Sequence, residues 1–233
     1  MRAQGGPPYY TNDPGTPGDK NWEINVGWTA QQLPGSYEFG APQLDLNYGL
    51  GDRVELTYFA TYLDEHDDGG PSKWGMSDSE FALKWRFIDG GDHGLQISVY
   101  PEVDFLTPGS HSGRRGLADG NTAYVLPFEF QRDYELISVD ADFGHNFATA
   151  GGADGWFGGI CLDREVKKGW EIDAEVHMNG DEDLGRTEWI GNVATRIDLS
   201  KKTTLMLLVG RDLGNRIGPK SSLMSYMGIQ LRL

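Results

Sequence analysis

Cysteine occurs once, at Cys161, in 233 residues, so no intramolecular disulfide can staple the chain, and no CxxC or Cys/His spacing frames a zinc site. Cations are scarce. Twenty Lys and Arg face 35 Asp and Glu, a formal charge of −15, and with no basic stripe to neutralise phosphates, nucleic acid is excluded as a partner. The longest aliphatic run, near Leu205 to Val209, falls far short of the roughly 18 apolar residues that a membrane-crossing helix needs. Met1 is not followed by a basic stretch and an apolar core, so either an export signal has been removed or that route is not used. Convincing stretches of 3.6-residue period are missing too, which turns the reading to strands.

What the chain has is glycine, 33 residues of it, and alternation. Trp22, Ile24, Val26 and Trp28 share one face against Glu23, Asn25, Gly27 and Thr29; Leu44, Leu46, Tyr48 and Leu50 oppose Gln43, Asp45, Asn47 and Gly49. The same period of two continues through Val54–Tyr62, Phe81–Phe87, Leu95–Phe105, Tyr124–Phe130, Ile137–Phe143, Trp156–Leu162, Trp170–Met178, Trp189–Leu199, Leu205–Val209 and Leu223–Leu233. About twelve strands follow, the eleventh blurred by Met206 and Leu208. Connections after even-numbered strands read as short (Gly51, 89–94, Asp133, 167–169, 200–202), and those after odd-numbered strands as mostly longer (32–40, 64–77, 107–121, 145–154, 179–186, 214–221). This spacing predicts an all-β, up-and-down antiparallel transmembrane β-barrel over residues 22–233, preceded by a Pro/Gly-rich segment at 1–21 that lies on the periplasmic side or enters the lumen.

Alternation alone does not say which face is outside, and a soluble barrel or sandwich has the same period. Two features favour lipid. The polar face carries charge in mid-strand, and the aromatics of the apolar face gather at strand ends: Trp22, Tyr48, Trp85, Phe87, Phe130 and Trp170 toward the short turns, Trp28, Tyr62, Phe105, Tyr124, Phe143, Trp156 and Trp189 toward the long loops. Two membrane interfaces sort rings in this way.

With the apolar face outward, Asp45, Glu55, Lys84, Arg86, Glu102, Asp104, Asp140, Asp142, Glu171, Asp173, Glu175 and Arg196 are expected to line the lumen and set its selectivity. An acidic tube focuses potential and favours cations; alternatively the carboxylates pair with bases and fill the barrel. The row Glu171, Asp173, Glu175, His177 has a spacing that can face a metal, but reads equally as a solvated ladder, and no metal or other cofactor is expected. Acidic runs at 64–68 and 181–183 lack the glycine and ligand order of a calcium loop and read as solvated loop tips. Cys161 reads as a small lumen filler. Ser110, His111, Ser112, His145 and Asn146 are the residues that could serve as nucleophile and base, yet no GxSxG elbow is present and no enzyme is expected.

The stretches NDPGTPGDKNWEINVG at 12–27 and LDLNYGLGDRVEL at 44–56 carry Asp13, Pro14, Thr16, Pro17, Trp22, Glu23 and Asn25, then Asp45, Asn47, Tyr48, Gly49, Gly51 and Asp52. In these the chain resembles the outer-membrane barrels named for the meta-pathway of phenol degradation. The resemblance implies a bacterial outer-membrane barrel that takes up small, aromatic or hydrophobic solutes, with the lipid bilayer and the outer-membrane assembly machinery as partners and no catalytic residues to carry over. Leu233 stands where many such barrels have Phe or Trp, which makes dependence on the usual assembly signal less certain. The alternative is a non-conducting structural or binding barrel working through its loops 64–77 and 107–121.

Overall fold

A computed structural model of the protein describes residues 7–91, 94–118, 120–149 and 154–233. Thirteen β segments follow in order: β1 (Trp22–Leu33), β2 (Ser36–Gly49), β3 (Val54–Asp67), β4 (Lys73–Ile88), β5 (Gln96–Val99), β6 (Glu102–Leu106), β7 (Ala123–Asp133), β8 (Ser138–Ala148), β9 (Gly155–Lys167), β10 (Trp170–Asp181), β11 (Thr187–Ser200), β12 (Thr203–Asn215) and β13 (Leu223–Arg232). A single helical turn, α1 (Ser112–Arg115), sits between β6 and β7. Every pairing is antiparallel; consecutive strands pair except around β5 and β6, and β13 pairs back onto β1 from Glu23↔Arg232 to Gln32↔Leu223. The backbone groups of Trp22 and Leu233 complete that seam with two hydrogen bonds of 3.0 and 2.9 Å. The sheet has no free edge, which is how an all-β protein satisfies its ladder inside lipid.

Segments β5 and β6 both lie between β4 and β7, one above the other, so the circuit has twelve positions. The break falls at Tyr100-Pro101, because proline has no N–H to give the ladder. Flanking bonds from Tyr100 N to Pro127 O and from Leu83 N to Pro101 O, each 3.1 Å, hold the two halves in line. Twelve strands about 4.8 Å apart and tilted by about 40° make a cylinder of roughly 12 Å backbone radius, wide enough that side chains alone do not fill it.

Sidedness is unambiguous along β4. Leu83 is 39% exposed, Lys84 1%, Trp85 52% and Arg86 3%. Ile172 and Asp173 on β10 repeat the contrast at 41% and 1%. The apolar face is the outside of the barrel and the charged face lines its interior. Outer rings meet in pairs, Trp22 with Tyr48 at 4.8 Å, Trp85 with Phe87 at 5.7 Å and Phe143 with Trp156 at 5.3 Å between centroids, as interfacial aromatics do.

Several expected loops are strand instead. β1 and β2 are joined by Pro34-Gly35 alone, with Gly35 at φ 78°, so 32–40 is a tight hairpin rather than a long loop. Pro42 lies in a register shift between Gly40 and Gln43, which hid the upper half of β2 by interrupting its alternation. Asp64, Glu65, His66 and Asp67 continue β3, paired with β4 up to Lys73, and only 68–72 connects them. Lys73 bridges Glu65 at 3.8 Å and Asp67 at 3.4 Å, and His66 bonds Ser72 at 3.0 Å. Asp64 to Asp67 are therefore strand residues rather than loop, while Asp68 stays in the connection, and Asp67 and Asp68 are exposed as expected. Likewise β8 runs through His145 and Asn146 to Ala148. His66, His145 and His177 all lie on strands, His111 lies in the loop before α1, and His93 is outside the described residues.

Candidate functional site

Asp45, Glu55, Lys84, Arg86, Asp140, Asp142, Glu171, Asp173, Glu175 and Arg196 are all buried, and Glu102 and Asp104 half-buried, on the inner face. They are not left to water alone. The segment before β1 enters from the short-turn end, where Thr16 Oγ1 donates to Asp52 O (3.0 Å), Gly51 N to Asp19 Oδ1 (3.0 Å) and Lys20 N to Gly49 O (3.0 Å). It then climbs the lumen, with Asp13, Pro14 and Thr11 buried. Its peptide N–H groups have no ladder of their own, so carboxylates of the wall receive them: Asn12 N to Asp142 Oδ2 at 3.1 Å, and Tyr10 N and Thr11 N to Glu175 Oε1 at 2.9 and 2.5 Å. The Tyr9 hydroxyl donates to Asp173. Gly159 makes room for this passage, since a Cβ there would collide with Thr11 Oγ1 and His177 Nδ1.

Lys84 is the hub of the wall. Its Nζ donates to Asp13 O at 2.6 Å and lies 3.5 Å from Glu129, 3.9 Å from Glu55 and 4.8 Å over the Tyr100 ring. Asp45 accepts from Asn25 (2.8 Å) and Asn47 (3.0 Å). Arg86 Nη2 donates to Asp52 O (2.7 Å), and Arg196 Nη2 to Gln230 Oε1 (3.3 Å). Thr16 meets Asp52, Asn25 meets Asp45 beside Asn47, and the Trp22 ring meets Tyr48, so the two sequence blocks join at the short-turn half of the barrel.

The inserted segment divides the interior. On the loop side lies a cavity of about 510 Å³ lined by Tyr9, Tyr10, Phe59, Leu63, Tyr100, Leu208, Met224 and Tyr226 together with Glu38, Glu80, Glu102 and Lys84. Toward the short turns lie a cavity of about 510 Å³ that includes Arg86, Asp163 and Glu171, and one of about 590 Å³ that includes Glu23, Arg86 and Arg232.

An apolar patch of the inner wall, which borders the loop-side chamber at Leu208 and Tyr226, is the part that sequence reasoning missed. Met206, Leu208 and Tyr226 pack inward around Tyr9, and the Tyr226 ring fits only because Gly27 and Gly228 beside it have no side chains. The blurred alternation at Met206 and Leu208 was its trace.

The nucleophile and base candidates are not assembled. Ser110 Oγ has no hydrogen-bond partner among the described residues, Ser112 starts α1 and packs near Gly75, and His145 Nε2 is 2.7 Å from Glu182 Oε2, between the rings of Trp156 and Phe147. Asn146 stays in the β8 ladder opposite Val125 and Gly155. Cys161 is buried, its Sγ 3.3 Å from Asp163 Oδ1. The acids at 181–183 cap the β10–β11 connection, Asp181 holding Arg186 Nε at 2.9 Å. The row Glu171 to His177 does not converge on one point, because Glu175 is occupied by the inserted segment and by Asn192 Nδ2 at 2.6 Å.

An apolar exterior with paired rings, a closed antiparallel circuit of twelve positions and a charged interior define an outer-membrane β-barrel of the bacterial type. No family model and no curated protein matches the chain. Among solved structures it is similar to an outer-membrane channel from Pseudomonas putida F1, at 14% identity and TM-score 0.73 over 99% of this chain and 100% of that one. It is also similar to the KdgM porin in complex with disordered oligogalacturonate (11% identity, TM-score 0.59, 89% and 98% covered) and to the CymD monoaromatic hydrocarbon channel (6%, 0.51, 93% and 89%). These likenesses establish the fold.

Proposed function

We propose that this barrel is an outer-membrane channel for small solutes with an aromatic or apolar body, neutral or positively charged. The observation that carries the reading is the loop-side chamber. Its volume of about 510 Å³ lies within the roughly 300–1,000 Å³ of small-molecule sites, and four tyrosines, a phenylalanine and two aliphatic side chains share it with several carboxylates. Such walls attract aromatic bodies and repel polyanions. The fold of the monoaromatic hydrocarbon channel is consistent with this cargo, and the acidic interior argues against a polyanion like that bound by the KdgM porin. Membership in the phenol meta-pathway barrels is supported by the two motif blocks, which join at the short-turn half. Asp45, Glu55, Glu102, Asp104, Glu171, Asp173 and Glu175 bias the passage toward cations, while Lys84, Arg86 and Arg196 hold the wall and the inserted segment.

A non-conducting barrel is the second reading, favoured by the segment from Tyr9 to Asp13 across the middle of the lumen. Planar-bilayer recording under a salt gradient separates the two. Single-channel steps with a cation-favouring reversal potential support the channel; no steps, even after residues preceding Thr16 are removed, refute it.

A further inference from the structure

The geometry points to a binding site for one hard divalent cation, calcium above all, on the lumen wall where Asp163 of β9 meets Glu171 and Asp173 of β10. Each of these residues offers one carboxylate oxygen, and the three oxygens lie within 4.8 Å of one another. Calcium holds its oxygens at about 2.3–2.6 Å, and three carboxylate oxygens gathered this closely can share one ion.

The register itself calls for a positive charge. Asp163 and Asp173 are direct cross-strand partners, a placement in which like charges repel. Asp163 Oδ2, Asp173 Oδ1 and, on the neighbouring strand, Asp140 Oδ1 are buried and accept no hydrogen bond from the described residues; the three residues are 4%, 1% and 5% exposed. A buried polar atom without a partner is costly and rare. Their other contacts are fixed from elsewhere, Tyr9 reaching Asp173 Oδ2 and Cys161 reaching Asp163 Oδ1. Arg196, across from Glu171 on β11, brings one positive charge against four carboxylates. The ion has a way in, because Asp163 and Glu171 line the short-turn cavity of about 510 Å³. Donors that are all carboxylate oxygens select a hard cation over zinc or copper.

This inference is independent of transport. Calcium calorimetry on the full-length barrel, stripped with chelator and held in detergent, should show one site. The D163N/D173N pair should weaken it at least tenfold, and the loop pair D181N/D183N should leave it unchanged. If the strand pair does not refold, Glu171→Gln, which keeps the β9–β10 partners, gives the same weakening. No calcium uptake by the unaltered barrel, equal affinity in all variants, loss in the loop pair instead, or zinc binding tighter than calcium and abolished by Cys161→Ser overturns the assignment.

Discussion

Lys84→Met removes the one cation shared by Glu55, Glu129 and the inserted segment while keeping a side chain of similar reach. Lys84 is 1% exposed, and its partners Glu129 and Glu55 are buried beside it. Breaking a buried ion pair from one side costs about 3–5 kcal/mol, because the abandoned carboxylates keep their desolvation penalty. The bond to Asp13 O is lost as well, but the freed carbonyl of the segment meets water, which offsets that loss. Urea unfolding from lipid vesicles, followed by tryptophan fluorescence, should therefore show a loss of about 3–5 kcal/mol, more than a hundredfold in the folding constant. Adding Glu129→Gln should restore part of it, the mark of a coupled pair. The same variant should raise conductance by loosening the segment. A single variant within about 0.5 kcal/mol of the unaltered protein, or one made worse by Glu129→Gln, refutes the hub.

Val176→Lys places a charge on the lipid face of β10 and should cost about 2–4 kcal/mol in the same vesicle assay, whereas Glu175→Gln inside the lumen should cost less and instead loosen Tyr10 and Thr11. Gly159→Val fills the space that Thr11 occupies and should push the inserted segment aside, seen as larger single-channel steps and faster proteolysis of residues before Trp22. Neutralising Glu80 and Glu102 together, both on the loop-side chamber, should move the reversal potential toward zero and weaken binding of phenethylamine relative to benzyl alcohol, measured by tyrosine fluorescence quenching.

The barrel was legible because lipid and lumen impose opposite chemistries on alternate residues, as Leu83 to Arg86 display. Where both faces are polar, as at 64–67, that contrast vanishes, and where a register shift interrupts it, as at Pro42, the period is lost; both stretches read as loop although they are strand. The lumen-facing charges followed from parity, but their partners did not, because residues 7–21 have no period and the contacts of residues 9–13 with the wall join positions more than 70 apart. The apolar stripe of Met206, Leu208 and Tyr226 was hidden for a related reason: on a strand greasy on both faces, sequence cannot tell lipid contact from a lumen patch.

Nitroxide scanning of β10 in lipid vesicles tests the sidedness on which everything rests. Labels at Ile172, Ala174 and Val176 should be reached by oxygen dissolved in the acyl chains, and labels at Glu171, Asp173 and Glu175 should be shielded from it, a strict period of two. Oxygen accessibility that peaks at the acidic positions, or that shows no alternation along Trp170–Asp181, contradicts the account.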